Sequence, residues 1–265
     1  VRGVLTSRGG EDFAAIGAAL AGSGYRFGAL TIDAINFVPQ SRPRLFFVAV
    51  EAAISIPAGL TGAARAPDQP RALSTAQAGL SPAAKMQWVW WRLPAPAVRT
   101  RTLSDLIEDR PLDVKWRTPH ETARLLAMMS AANLAKVEAA RKTGRRMVGA
   151  VYRRTRPGAG GVGAQRAEVR FDGVAGCLRT PAGGSSRQTL MVVEAGRVRS
   201  RLLSSREAAR LMGLADDYQL PDRYNDAYHV AGDGVCPPVV RHMARHLIEP
   251  ILAARAPLVK LMAAE

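Results

Sequence analysis

Apolar and polar positions along the first fifty residues predict one helix followed by two strands. Residues 11–21 carry apolar side chains at helical spacing and are followed by glycine, which predicts a helix that ends there. Tyr25–Asp33 alternates in the manner of a strand, and residues 45–50 form a continuous apolar run suited to a strand buried on both faces. A loop over residues 34–44 joins the strands. The helical apolar positions are Phe13, Ile16 and Leu20.

Two later helix starts are marked by capping boxes. In each, a Ser or Thr precedes a Glu by three positions, so that both side chains can bond to backbone N–H groups at the helix start. The first predicts a single helix over residues 119–141, and the second predicts a helix that Gly213 ends. The pairs are Thr118 with Glu121 and Ser204 with Glu207.

The remaining predicted elements are two strands and a last helix. Residues 167–171 and 190–193 have the apolar character of strands. The last helix is predicted from Pro237, because proline is favoured in a first turn and an apolar face follows at helical spacing. The residues of that face are Val240, Met243, Ala244, Leu247 and Ile248.

Composition narrows the class of protein. The 265 residues are 48% apolar, which is too high for a disordered chain, and no apolar run approaches the roughly 20 residues that a membrane span requires. The two cysteines, Cys177 and Cys236, cannot form a disulfide framework, and no secretory signal is recognised. We therefore expect a soluble, cytoplasmic protein with no membrane partner.

Charge is concentrated in one segment. With 37 Lys and Arg against 22 Asp and Glu, the formal net charge is +15, and residues 141–170 hold nine basic residues and one acidic residue. Such a segment is typical of a surface that binds a polyanion, although a solvated basic loop has the same signature. Arginine, which pairs well with phosphate and guanine, dominates over lysine, but GC-rich coding has the same effect on composition.

Three smaller patterns each have a functional and a structural interpretation. Residues 158–163 match Gly-x-Gly-x-x-Gly, but their flanks favour a loop over a dinucleotide site. His242 and His246 have the spacing of a zinc pair without its glutamate or third ligand, which favours a basic helix face. Three nearby tryptophans are more typical of a core anchor than of a base-stacking platform. They are Trp88, Trp90 and Trp91.

Three segments in a fixed order carry the strongest signal. Residues 37–44 contain Gln-x-Arg-x-Arg, residues 201–213 read Arg-Leu-Leu-Ser-Ser-Arg-Glu-Ala-Ala-Arg-Leu-Met-Gly, and residues 231–240 read Ala-Gly-Asp-Gly-Val-Cys-Pro-Pro-Val-Val. Together they resemble motifs VIII, IX and X of the cytosine-C5 DNA methyltransferases. Residues 1–5 also resemble the segment that follows the family's Glu-Asn-Val motif.

The resemblance implies an α/β fold, made of the C-terminal portion of a Rossmann-like S-adenosylmethionine-dependent methyltransferase domain and a mixed, strand-containing target recognition domain. Residues 1–55 are expected to end the catalytic domain with motif VIII, residues 56–200 to form the target recognition domain, and residues 201–265 to return to the catalytic domain with motifs IX and X. The recognition domain contains the basic segment, so charge and motif order both indicate double-stranded DNA as the partner.

Motif VIII implies the candidate catalytic residues. In the family this motif contacts a cytosine flipped out of the duplex, whose C5 receives a methyl group from S-adenosylmethionine. Arg44 matches the arginine beside cytosine O2, where negative charge grows, and Gln40 and Arg42 match its polar supports. Capping of strand ends is the structural alternative for the two arginines.

The resemblance also implies cofactor and DNA contacts. Gly232, Asp233 and Gly234 match the motif X turn that approaches S-adenosylmethionine, with Asp233 in place of the family's asparagine. The base-contacting candidates belong to a glycine-rich turn before motif IX. They are Arg179, Thr180, Ser185, Ser186 and Arg187.

Several parts of the family's machinery have no counterpart in this sequence. They are the glycine-rich cofactor loop, the Glu-Asn motif and the Pro-Cys nucleophile loop, since neither Cys177 nor Cys236 follows a proline. We therefore expect the C-terminal part of a DNA (cytosine-5)-methyltransferase, as in restriction-modification systems, that is inactive alone and needs a missing N-terminal part with the earlier motifs. The chain is then either a truncated product or one chain of a split enzyme whose partner chain carries those motifs. The alternative is a non-catalytic, sequence-specific DNA-binding module derived from such an enzyme. RNA methylation fits less well, because that branch has short recognition regions.

Overall fold

A computed structural model describes residues 2–157, 163–180 and 187–254. Helices and strands are mixed in this part of the chain, as the α/β prediction requires, and none of the helices in it is long and apolar enough to cross a membrane. The helices are α1 (Glu11–Gly22), α2 (Arg71–Ala78), α3 (Pro82–Met86), α4 (Pro119–Ala127), α5 (Ala131–Lys142), α6 (Ser205–Leu211), α7 (Tyr224–Asp233) and α8 (Pro237–Met243). The strands are β1 (Tyr25–Asp33), β2 (Pro43–Glu51), β3 (Thr61–Gly62), β4 (Trp90–Trp91), β5 (Met147–Pro157), β6 (Gly163–Arg170), β7 (Thr189–Glu194) and β8 (Arg197–Leu202).

The chain forms two compact units. Among the described residues, the first unit contains residues 2–33, 43–96 and 239–254, and the second contains residues 34–42 and 97–238. The boundaries between the catalytic and target recognition domains, at residues 55 and 200, remain predictions from the resemblance.

The first unit contains a two-stranded antiparallel sheet. Strand β1 pairs with β2 from Tyr25 opposite Glu51 to Asp33 opposite Pro43, and helix α1 precedes it as predicted. The prediction that residues 45–50 are buried on both faces is confirmed in part, because Leu45 is buried on one face of β2 and Val48 and Val50 on the other, whereas the intervening residues are half-buried. Within the described residues β2 pairs with β1 alone.

The tryptophans anchor the irregular segment before them to the core of this unit, as predicted. The Trp88 ring packs edge-on against Phe27 with centroids 5.4 Å apart, and the Trp91 indole donates a 3.2 Å hydrogen bond to the carbonyl of Val48. Gly28 makes this packing possible, because a Cβ there would lie 2.0 Å from the carbonyl oxygen of Val89. Aromatic burial therefore adds to the short helices and strands of this segment in fixing it to the core.

The second unit is built on a four-stranded antiparallel sheet in the order β6-β5-β7-β8. Helices α4 and α5 pack against it through a core of apolar side chains. The fully buried members of that core are Leu125, Met129, Val137, Ala140, Val151, Ala167, Val169, Met191 and Val193.

The single helix predicted over residues 119–141 is wrong, because the chain breaks between α4 and α5. The carbonyl of Met128 accepts a 3.0 Å hydrogen bond from the N–H of Ala167 on β6, and Ser130 then takes an extended conformation that restarts the helix. A bond to a distant strand thus replaces one within the helix. The predicted capping box of Thr118 and Glu121 at the start of α4 is confirmed.

The start of α6 combines the second predicted capping box with a buried ion pair. Ser204 and Glu207 cap each other's backbone N–H groups. The carboxylate of Glu207 also accepts two hydrogen bonds from Arg201, of 2.6 and 2.7 Å, and both side chains are 0% exposed. This bidentate pair fixes strand β8 to helix α6.

The predicted apolar face of the last helix is partly wrong. Val240 and Ile248 are 45% and 42% exposed, whereas the buried positions recur every four residues. A π-helical turn over Ala244–Ile248 widens the helix, and a spacing of four keeps side chains on one face when a turn is wider than 3.6 residues. The buried positions are Val239, Met243, Leu247 and Ile251.

Candidate nucleic-acid interface

A cleft of about 910 Å³ opens in the second unit, beside the hairpin of β5 and β6. Its walls also include Gly176, Cys177 and Arg179, which follow β6, and Tyr228 of α7. Six basic side chains line the cleft against one acidic side chain, Glu168, so the surface is strongly positive. The basic residues are Lys136, Arg153, Arg154, Arg170, Arg179 and Arg187.

The hairpin brings like charges together. Arg154 of β5 lies directly opposite Arg166 of β6 in the strand register, and both are exposed. Like charges at directly opposed positions destabilise a sheet. Glu168 offsets this repulsion in part, with its carboxylate 3.6 Å from the Arg154 guanidinium. A bound polyanion would relieve the repulsion further.

Two tyrosines line the cleft among these cations. Tyr152 packs on Gly176, where a Cβ would lie 2.0 Å from the ring, and burial raises the pKa of its phenol. Burial also raises the pKa of Tyr228 to about 12. The hydroxyl oxygen of Tyr228 accepts a 2.9 Å hydrogen bond from the N–H of Gln188. Both tyrosines therefore remain neutral at physiological pH and give the cleft an uncharged aromatic wall.

Two of the three predicted motif VIII residues hold other segments of the second unit. Gln40 is buried, donates a 2.8 Å hydrogen bond to the carbonyl of Leu211 and accepts a 3.0 Å hydrogen bond from the N–H of Leu178. Arg42, 3% exposed, donates to the carbonyls of Leu178 at 2.9 Å and Gly232 at 2.7 Å. It also donates to the carbonyl of Gly234 at 2.8 Å. These contacts join motif VIII to motif X.

Arg44, the third motif VIII residue, belongs to the first unit. It lies half-buried near the start of β2, and its guanidinium donates a 3.0 Å hydrogen bond to the carbonyl of Pro43. This local bond is consistent with the structural alternative, in which Arg44 caps the end of a strand. Its proposed contact to cytosine stays a prediction.

The predicted cofactor residues offer no side-chain donor to the carboxylate of S-adenosylmethionine. A carboxylate needs hydrogen-bond donors, but the carbonyls of Gly232 and Gly234 accept from Arg42, and the Asp233 side chain accepts from the hydroxyl of Thr180. Asp233 in its ionised form has no donor to offer. Cofactor binding by these three residues therefore stays a prediction from the resemblance alone.

The predicted DNA-contacting residues divide into three groups. Arg179 and Arg187 both line the basic cleft, and the guanidinium of Arg187 lies 5.5 Å from the ring centroid of Tyr224. Thr180 is held by Asp233. Ser185 and Ser186 lie outside the described residues.

Several residues that line the cleft were not identified from the sequence. Lys136, Tyr152 and Tyr228 lie on α5, β5 and α7, far apart along the chain. The alternation of a strand could have identified Tyr152, because it follows the buried Val151 in β5 and so points away from the core. Lys136 and Tyr228 carry no comparable signal.

The smaller motifs lie partly within the described residues. Residues 158–162 lie outside the described part, but strand β6 begins at Gly163, where a dinucleotide site would need a helix. The rings of His242 and His246 lie 4.6 Å apart, and His242 bonds to the carbonyl of Pro94 at 3.0 Å. The described residues contain no group of three or more metal-binding side chains.

Comparison with known proteins identifies the family. The model of the C-5 cytosine-specific DNA methylase family matches residues 1–249, whereas no curated protein sequence matches the chain. Among solved structures, the methyltransferase EhMeth of Entamoeba histolytica is 10% identical, covers 91% of this chain and 58% of its own, and has a TM-score of 0.46. The Dnmt2 methyltransferase of S. pombe is 15% identical, with coverages of 95% and 65% and a TM-score of 0.43.

The chain spans 58% and 65% of the lengths of those two proteins. The family match, in contrast, extends over nearly all of this chain, from the predicted motif VIII region through the basic segment to motif X. The chain therefore belongs to the C-5 cytosine-specific DNA methylase family.

Proposed function

We propose that this chain supplies motifs VIII to X and the target recognition region of a DNA (cytosine-5)-methyltransferase. Its basic cleft then holds double-stranded DNA that contains the target cytosine. Family membership supports the reaction class. The observation that carries the assignment of DNA to this cleft is its lining of six basic side chains against one acidic side chain.

The electrostatics of duplex DNA favour this partner. The duplex carries one negative charge about every 1.7 Å of its axis, and basic side chains that neutralise phosphates release condensed counterions. Lys136, Arg153 and Arg154 are exposed on the cleft, as phosphate contacts require. Arg179 and Arg187 are the proposed base contacts, since arginine can donate two hydrogen bonds to the major-groove edge of guanine.

The proposed chemistry acts on a cytosine that has left the base stack. Arg44 is assigned the stabilisation of negative charge on cytosine O2, with Gln40 and Arg42 as its supports. The buried hydrogen bonds of Gln40 and Arg42 are consistent with supporting roles. The family's methyl donor is S-adenosylmethionine, and its binding is not assigned to residues of this chain.

The nucleophile is assigned to the part of the enzyme that carries the family's earlier motifs. Cys236 is 3% exposed, and neither cysteine follows a proline, so this chain offers no counterpart of the Pro-Cys loop. We therefore expect the isolated chain to bind DNA without methylating it. The same feature favours the alternative, a DNA-binding module without catalytic function.

Titration of a fluorescently labelled cytosine-containing duplex, at a series of salt concentrations, tests the DNA assignment. Binding that weakens steeply and linearly on a log–log plot of affinity against salt supports it. Affinity that stays constant between low and physiological salt, or the absence of binding at low salt, refutes it.

A further inference from the structure

We propose that Asp233 is a positioning residue for DNA binding, which fixes residues 177–180, the segment that places Cys177 and Arg179 in the wall of the basic cleft. The inference rests on the proposed function, because it takes the partner of this segment to be DNA. It gives the motif X turn a role other than the cofactor contact that the resemblance implies.

Direct contact between the turn and the segment is the first support. The hydroxyl of Thr180 donates a hydrogen bond to the carboxylate of Asp233. At the neighbouring Gly232, an added Cβ would lie 3.0 Å from the backbone nitrogen of Thr180 and 3.1 Å from the carbonyl carbon of Arg179. The two backbones therefore pack at a distance that leaves little space for a side chain.

Arg42 provides the second support, because its guanidinium bridges the same two segments. It donates to the carbonyl of Leu178 on one side and to those of Gly232 and Gly234 on the other. Gln40 also holds Leu178, because its side-chain oxygen accepts a hydrogen bond from the N–H of Leu178. The segment is thus held at Leu178 by motif VIII and at Thr180 by motif X.

The residue between these two attachment points is Arg179. Its side chain is exposed and lines the cleft, next to Cys177. A long, flexible arginine loses conformational entropy when it docks on a phosphate or a base, and a backbone that is already fixed reduces this loss. Asp233 therefore favours DNA binding through the backbone of Arg179, although its own negative charge repels DNA.

Three variants separate positioning from simple electrostatics. Asp233→Ala loses the acceptor for Thr180, and we expect duplex affinity to fall roughly three- to tenfold, as for the loss of one hydrogen bond. Asp233→Asn keeps an acceptor oxygen and is expected to retain wild-type affinity or to bind slightly more tightly. Asp226→Asn, an exposed carboxylate on the same helix, is the matched control for loss of charge. Tighter binding by all three variants would refute the proposal.

Amide hydrogen exchange gives a readout that does not need DNA. Asp233→Ala is expected to accelerate exchange in residues 177–180 while the thermal unfolding midpoint of the chain stays close to that of wild type. Thr180→Val should have the same effect, with no further increase in the double variant. Unchanged exchange in this segment overturns the positioning role. If the wild-type chain binds no duplex, the proposed function fails, and the exchange measurement still decides whether Asp233 orders the segment.

Discussion

The guanidinium of Arg42 donates a 2.7 Å hydrogen bond to the carbonyl of Gly232, and the two residues are 190 positions apart in the chain. With its bonds to Leu178 and Gly234, Arg42 donates to three carbonyls inside the second unit, one from Nη1 and two from Nη2. A planar guanidinium with five N–H donors suits this arrangement, whereas an ammonium group is a point charge with different geometry. Arg42 thus joins separate segments of the second unit.

Arg42→Lys should therefore destabilise the protein. Lysine cannot reproduce the three directional bonds and leaves buried carbonyls unsatisfied, which predicts a loss of about 2–4 kcal/mol in the free energy of unfolding. Urea denaturation measures this change. Arg124→Lys, on an exposed position of α4, is the control and should change stability by less than about 0.5 kcal/mol. Equal stabilities of the two variants would contradict the role assigned to Arg42.

The buried ion pair of Arg201 and Glu207 predicts a larger loss of stability than Arg42→Lys does. Glu207→Ala leaves the Arg201 guanidinium charged and unpaired in the interior, which should cost about 3–5 kcal/mol. Glu121→Ala removes a comparable capping carboxylate at an exposed helix start and should cost about 1 kcal/mol. Chemical denaturation of both variants provides the comparison. A cost for Glu207→Ala no greater than that for Glu121→Ala would show that the pair is not effectively buried.

The hairpin arginines predict a change in the salt dependence of DNA binding. Replacing Arg153 and Arg154 with alanine should weaken duplex binding at low salt and reduce the slope of log affinity against log salt by roughly 1 for each lost phosphate contact. Arg197→Ala removes an exposed arginine of β8 that does not line the cleft, and its slope should match that of wild type. Identical slopes for the double variant and wild type would place the DNA elsewhere.

Tyr228 predicts a loss of stability at alkaline pH. Burial raises the pKa of its phenol from 10 to about 12, so the folded state holds the proton more tightly than the unfolded chain. Stability from this group is present below pH 10 and is lost as pH rises toward 12. Tyr228→Phe should show a shallower decline over that range, and it should also lose about 1 kcal/mol at neutral pH with the bond from Gln188. Tyr218→Phe, at a 45% exposed position, is the control. Unfolding followed from pH 9 to 12 measures the difference, and parallel declines for all three proteins would contradict the account.

Local signals in the sequence predict local structure well. Strand β1 spans Tyr25–Asp33 as predicted, and both capping boxes form, because each depends on residues only three positions apart. The helix break at Met128 was missed because its cause, the N–H of Ala167, lies on a strand far along the chain. The hydrogen bonds of Gln40 and Arg42 also join residues that are far apart in the sequence, so local signals do not predict them.

The motif pattern selected Gln40 and Arg42 but did not indicate what they bond to. Their partners are backbone carbonyls and N–H groups, which carry no side-chain signature in the sequence. Asp233 shows the limit most clearly, since its match to the cofactor turn gave no sign of the bond to Thr180. Charge was a better guide, because the basic segment places Arg153, Arg154 and Arg170 on the cleft.

Reconstitution of methyl transfer tests the central claim most directly. The chain is mixed with a polypeptide that carries the family's glycine-rich loop, Pro-Cys loop and Glu-Asn motif, and transfer of a labelled methyl group from S-adenosylmethionine to cytosine in duplex DNA is followed. We predict transfer by the mixture, none by either polypeptide alone, and a large loss with Arg44→Ala. DNA binding by this chain without methyl transfer in the mixture would contradict the claim and support the non-catalytic DNA-binding module.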